Sequence, residues 1–261
     1  MPNCNLTSVT ARILWLGAVG IGTLIIGIGM PHAAEVKVLS AGAVEPGLHA
    51  FAKLVKGATG HDLAIQFNTA PQIAKRLADG ERYDILIAPP AAITQAGKDG
   101  KVSVDTRAPV GRVGAGVIVR TGAPSPAIAT MDELKTALLT ADSVVYNTAS
   151  TGLYLDRLFE QAGILAAIKP KSTRYANGAS VMEHIIKGKG NEIGFGAITE
   201  IRLFESQGLR LVGPLPAAVQ NYTTYEAAMM STSTAVEPVG AVLQLLKSPA
   251  GKAAFVAAGV E

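Results

Sequence analysis

Val36-Lys37-Val38-Leu39-Ser40-Ala41-Gly42-Ala43 runs from a β-branched apolar strand into a turn of small residues. Pro46 then opens a helix that places Leu48, Phe51, Ala52 and Val55 on one face. A strand feeding a helix through such a turn is the first half of a βα unit. The pattern recurs. Leu63 to Phe67 reads as a strand, Asn68-Thr69-Ala70-Pro71 as a turn with Pro71 at a first helical position, and Gln72 to Ala78 as a helix stopped by Gly80. Tyr83 to Ala88 is nearly all apolar, as expected of a strand covered on both faces; Pro89-Pro90 ends it, and a short helix follows over Ala91 to Ala96.

Farther on, Val110 to Arg120 reads as a long strand, and Thr121 to Pro126 is the densest Pro/Gly/Ser stretch of the chain, where a domain crossing is expected. Thr130 and Glu133 match a capping box for a helix reaching Leu139, and Ser180 and Glu183 match a second one. Val144 to Tyr146 is a strand that turns through Asn147 to Gly152 into a helix with Tyr154, Leu155, Leu158 and Phe159 inward. Ile193 to Gly196 and Leu209 to Val212 read as short strands, Gly213 to Pro216 as a linker, and Tyr222 to Met230 as a strand crossing back. Helices over Val236 to Leu246 and Ala250 to Ala257 close the chain.

At the amino end, Arg12 precedes Ile13 to Met30, a run of apolar residues, Gly and Thr23, and Pro31-His32-Ala33-Ala34 leads into Glu35. This is the layout of an export signal cleaved near Ala34, which predicts a periplasmic protein. An uncleaved anchor is the rival reading, because the run reaches the lower limit for a spanning helix; its glycines and the small residues that close it favour cleavage. Cys4, the single cysteine, leaves with that segment, so a disulfide framework, a cysteine zinc cluster and a Cys-x-x-Cys redox pair are excluded. Of 261 residues, 49% are hydrophobic, 5% aromatic and 16% charged, which describes a well-cored globular chain. Arg12 is the only charged residue of the leader, so the formal charge of +3 becomes +2 without it, and no cluster of Lys or Arg offers a nucleic-acid footprint.

Function is suggested by the junctions. Ser40 to Ala43, Asn68 to Ala70, Thr148 to Thr151 and Gly178 to Ser180 each put small hydroxyl or amide residues directly before a helix. Helix N-termini carry unpaired N–H groups and partial positive charge, so several aimed at one spot bind an anion without a basic side chain. In open α/β sheets such junctions lie at the carboxyl ends of strands, where ligands bind. Each Ser or Thr can equally cap only its own helix. No P-loop, dinucleotide glycine fingerprint or Gly-x-Ser-x-Gly elbow occurs, and His49, His61 and His184 lack metal-ligand spacing, so no cofactor and no metal are expected.

Val38 to Ala43, Asn68-Thr69-Ala70 with Ile73 to Leu77 and Gly80, Tyr83 to Ile87, Ser150 to Tyr154, Gly190 to Gly196 and Leu211 to Pro216 occur in an order that resembles the periplasmic type 2 solute-binding proteins of the molybdate-binding kind. That resemblance implies an α/β fold of two domains, each a mixed sheet flanked by helices, joined by two crossing strands. Residues 35–117 with 222–261 would form one domain and residues 118–221 the other. It also implies a monomer that closes by a hinge on a small anion and passes it to an inner-membrane ABC transporter permease. Ligand-binding residues implied by the resemblance or the junctions are Ser40, Ala43, Asn68, Thr69, Ser150, Thr151, Gly152, Ser180 and Phe195. Two of the family's hydroxyl donors have no counterpart, since Ala43 stands at a serine position and Phe195 at a tyrosine position; Ser40 is the substitute for the first, and Thr69 keeps a hydroxyl at the second-junction serine. An anion other than molybdate, a carboxylate or another oxyanion, is therefore expected.

The segment Ile193 to Ile201 and the Val-Gly-Pro-Leu-Pro run are similar to a branch that includes periplasmic aconitate isomerases. On that alternative the chain is an enzyme that moves a proton across an allylic system, and His184, Glu45 and Tyr154 are candidate catalytic residues, with His49 and Glu200 beside them. Arg76, Arg112 and Arg174 are candidate carboxylate clamps.

Overall fold

A computed structural model describes residues 33–261, within a compact unit spanning Pro31–Glu261. The expected export signal, with Cys4, Arg12 and the cleavage point's His32, lies outside the described residues. The chain folds as alternating strands and helices: β1 (Glu35–Ala41), α1 (Glu45–Thr59), β2 (Asp62–Asn68), α2 (Ala70–Ala78), β3 (Ile85–Ala88), α3 (Pro90–Lys98), β4 (Val102–Arg120), α4 (Met131–Thr140), β5 (Ser143–Asn147), α5 (Ser150–Gln161), α6 (Leu165–Ile168), β6 (Ser172–Tyr175), α7 (Gly178–Lys187), β7 (Glu192–Ala197), α8 (Ile198–Phe204), β8 (Leu209–Pro214), β9 (Tyr222–Met230), α9 (Val236–Lys247) and α10 (Pro249–Ala257). A single 3-10 turn, Gly42–Val44, links β1 to α1.

The strands form one mixed sheet in the order β2-β1-β3-β9-β4-β7-β5-β6, with β8 also on β4. β1 is parallel to β2 and β3, and β5 is parallel to β6 and β7, so each end of the sheet is built from βα units. Between them β4 and β9 run antiparallel, from Val102 opposite Met230 to Gly114 opposite Tyr222. Three apolar clusters surround this pair. One gathers Leu39, Leu48, Phe51, Leu86, Leu246 and Phe255, a second Leu134, Val144, Leu155, Phe159 and Phe195, and a smaller third Ile118, Val145, Met182 and Ile201. Each fully buried Leu or Phe side chain contributes about 1.5–3 kcal/mol.

Local chemistry sets the ends. Thr130 and Glu133 form the expected capping box, Thr130 N–H donating to the Glu133 carboxylate and Glu133 N–H to the Thr130 hydroxyl. At α7 the expected box is not the cap. Asn177, in extended backbone, accepts from Ser180 N–H at 2.8 Å, so the helix starts at Gly178 and Ser180 already lies inside its first turn. β4 begins eight residues earlier than read from sequence, because its Val102 to Val110 portion is irregular and carries two register shifts against β9. One of these is at Gly111, whose φ of +147° brings it against the Glu261 carbonyl, where a side chain would collide. The stretch Gly213-Pro214, read as linker, completes β8. Helices α6 and α8 and strand β6 had no counterpart in the sequence reading, being only 4, 7 and 4 residues long. Among the described residues no helix is long and apolar enough to cross a membrane.

Candidate anion site

The four junctions meet. Ala41 to Ala43 after β1, Asn68 to Ala70 before α2, Ala149 to Thr151 before α5 and Gly178 at the start of α7 line one pocket with Pro89, Asn147, Ala197, Glu200 and Tyr225. Counting the open solvent at its mouth, its space is about 410 Å3. No lysine or arginine is among the lining residues.

Two asparagine amides are oriented from behind. Asn68 Oδ1 accepts from Arg76 Nε at 3.1 Å, and its buried Nδ2 has no partner. Asn147 Oδ1 accepts from the N–H groups of Ala149 (3.0 Å) and Gly152 (3.2 Å), so the NH2 end of this buried side chain is left without a protein acceptor among the described residues. A buried donor without an acceptor costs about 1–3 kcal/mol, which a ligand oxygen recovers. Thr69 is tied to Gln72 Oε1 through both its N–H (2.9 Å) and its hydroxyl (3.1 Å). The Ser150 and Thr151 N–H groups at the start of α5 precede the first residue that finds a backbone acceptor, Leu153 on Ala149, and face the pocket as free helix-end donors.

The arginines therefore work behind the pocket, not in it. Arg76 is held by both Glu81 oxygens at 2.9 and 2.8 Å, and those bonds raise its pKa. Arg174 pairs with Asp156 at 2.7 Å, lies over the Tyr146 ring and donates to the Asn147 carbonyl at 3.2 Å. Arg112 is remote from both, on Glu261 at 3.1 Å and over Tyr222.

Glu200, the third residue of α8, carries the pocket's acidity. A Cβ on Gly42 would come 2.6 Å from its Oε1, and one on Gly178 would come 2.5 Å from its Oε2, so the carboxylate fits only because both neighbours are glycine. Thr199 beside it is fully buried and donates to the Ala43 carbonyl, which fixes α8 against the first junction. Glu200 has no ion-pair partner among the described residues. Burial and then the charge of Glu45 push its pKa up to about 7. Tyr225 faces the same space from β9, and its own burial together with Glu200 raises its pKa.

Of the residues singled out in the sequence, Ala43, Asn68, Thr69, Ser150 and Thr151 line the pocket. Gly152 lies just behind, with its N–H on Asn147. Ser40 does not line it, being fully buried with its hydroxyl donating to Ala41 O. Ser180 does not line it either and gives its backbone N–H to the α7 cap, and Phe195 is fully buried against Phe159, 5.7 Å between ring centres. Of the isomerase candidates, Glu200 lines the pocket and the others fall elsewhere. His184 Nδ1 bonds the Tyr175 hydroxyl at 2.9 Å, Glu45 lies 3.6 Å from His49, and His49 stacks edge-on to Phe67. Tyr154 donates to Val219 O at 2.6 Å, and burial raises its pKa. Replacing Tyr154 with Phe is expected to cost about 1 kcal/mol of unfolding free energy by denaturant titration, and to leave ligand-induced stabilisation unchanged. Tyr225 and Asn147 were missed as ligand-facing positions, while Gly178 was included only as the start of its junction. The available signal for Asn147 was the pattern itself: it is the last residue of its strand, as Asn68 is.

The chain matches, over residues 36–261, the family described as bacterial extracellular solute-binding protein. An aconitate isomerase from a Pseudomonas species is 32% identical over 217 residues, covering 81% of each chain. Similar folds include the sulfate-binding protein SubI from Mycobacterium tuberculosis (TM-score 0.73, 18% identity, 87% of this chain and 86% of that one). The periplasmic molybdate-binding protein of Azotobacter vinelandii is another (TM-score 0.70, 15% identity, 87% and 98%). A mixed sheet flanked by helices, junctions converging on one pocket and a family match over residues 36–261 give one answer: this protein belongs to the bacterial extracellular solute-binding proteins.

Proposed function

We propose that the protein captures a small polycarboxylate in this pocket, in the periplasm, and serves an ABC transporter as its solute receptor. The observation that carries the reading is the pair of protein-oriented asparagine NH2 groups, joined by free helix-end N–H groups, in a pocket without a basic side chain. Planar carboxylates suit such paired donors. A tetrahedral oxyanion would find Ala43 where a hydroxyl is needed, and Phe195 sealed in the core. Residues 35–117 with 222–261 and residues 118–221 act as two lobes that close on the ligand about the β4 and β9 strands.

A thermal-shift series of the purified protein with citrate, cis- and trans-aconitate, malate, sulfate and molybdate tests this. Tricarboxylates are expected to raise the melting temperature most, and no shift with any carboxylate would end the proposal. Asn68→Asp puts a second acceptor where a donor is needed and is expected to remove the shift.

A second reading, isomerisation of a tricarboxylate, is favoured by one observation. Glu200 is an unpaired acid in a pocket otherwise built to attract anions, a poor choice for binding alone. The aconitate isomerase among the relatives supports the same direction.

A further inference from the structure

Glu200 is placed as no structural acid would be. It lies on the wall of the pocket, clasped between Gly42 and Gly178, with no ion-pair partner among the described residues. The ionisable side chains coupled to it are Glu45 at the start of α1 and Tyr225 on β9, and neither supplies positive charge. An ionised carboxylate there repels the ligand that the helix ends and asparagines attract. A carboxyl that gains and loses a proton while the ligand is bound has a use for the same position.

We propose that Glu200 is the proton carrier of a 1,3-allylic shift in an unsaturated tricarboxylate held by Asn68, Asn147 and the N-terminus of α5. The proposal rests on the polycarboxylate reading above. The Glu200 carboxylate removes a proton from the substrate's methylene carbon. The C–H electron pair becomes the new carbon–carbon double bond, the old double bond gives up its π pair to its far carbon, and that carbon takes the proton from the Glu200 carboxyl. One C–H bond breaks and one forms, no electrons leave the substrate, and Glu200 ends ionised as it began. The charge that develops on the carbon skeleton spreads into the adjoining substrate carboxylate, where the two asparagine NH2 groups and the Ser150 and Thr151 N–H groups meet it. An acid whose pKa burial and Glu45 hold near 7 serves in both directions at neutral pH. Gly42 and Gly178 are then part of the same device, since any side chain at either position displaces the carboxylate.

The test uses the purified protein with cis- and trans-aconitate in deuterated buffer, followed by proton NMR, together with the thermal shift of the same samples. The wild-type protein is expected to interconvert the two and to exchange their methylene protons with deuterium. Glu200→Gln, nearly the same shape, should keep the thermal shift and lose both exchange and interconversion by ~100-fold or more. Interconversion that survives Glu200→Gln overturns the assignment of the carrier. A wild-type protein that is stabilised by aconitate but neither exchanges nor converts it overturns the proton shift and leaves the binding reading standing. Absence of any stabilisation strikes the binding reading itself.

Discussion

Gly152→Ala is expected to abolish ligand-induced stabilisation and to cost about 3 kcal/mol or more of folding free energy, although it adds a single methyl group. The methyl would come 1.7 Å from the Asn147 carbonyl oxygen, 2.7 Å from its carbon and 3.1 Å from its Oδ1. None of these atoms is a flexible side-chain tip. The carbonyl is held by Arg174 and the Oδ1 by two backbone N–H groups, so the end of β5 or the first turn of α5 must move, and the pocket changes shape with it. Denaturant unfolding and a thermal shift with trans-aconitate measure both effects. Gly57→Ala in α1 is the control: nothing lies within 4 Å of its added carbon, and the gain in helix propensity is expected to stabilise by up to ~1 kcal/mol. Equal behaviour of the two variants would remove the argument for a tight β5 to α5 turn.

Acidity gives the second large effect. Glu200 titrates near 7 when folded and near the ordinary carboxyl value of about 4.3 when unfolded. Between those values the folded state holds more protons, so the contribution of Glu200 to stability is greatest at low pH and falls as pH rises through about 4 to 7. The loss from this one group is on the order of 3–4 kcal/mol, or roughly 6–16 °C in melting temperature for a domain of this size. Glu200→Gln removes the charge and with it the slope. Its melting temperature should exceed that of the wild type at pH 8 and match it near pH 5, since every other titrating group is common to both. Parallel curves for the two proteins would mean that Glu200 is not perturbed.

The strand-to-helix alternation was legible because β1, β2, β5 and their helices each carry a complete periodic pattern with a marked turn. β9 was read with its observed ends, Tyr222 and Met230. The site was legible at its backbone and obscure in its chemistry. Junction residues stand out through composition, whereas Glu200 was named only as one isomerase candidate among several, since its helix of 7 residues has no capping side chain and too few turns to show a period. The histidine, tyrosine and first-turn glutamate singled out as catalytic all look reactive as residue types. Each is engaged elsewhere: His184 by Tyr175, Tyr154 by Val219, and Glu45 beside His49. Side-chain type alone does not reveal whether a group's hydrogen bonds are already spent. Asn68 and Asn147 differ in that respect only because Arg76 and the α5 turn take their carbonyl ends, a long-range outcome that no spacing announces.

A pocket that, on the proposed reading, attracts anions with amides and helix ends, with Arg76 and Arg174 set behind its wall, has a consequence for where it can operate. Attraction between exposed charges fades as salt accumulates, because mobile ions gather within about 10 Å at 0.1 M. Dipoles and hydrogen bonds enclosed by protein leave those ions no room. Such a receptor forgoes the long-range guidance that speeds ligand arrival and keeps instead an affinity that varies little with the ionic strength around it. That trade suits the periplasmic role proposed above, where the surroundings follow the composition of the medium outside the cell.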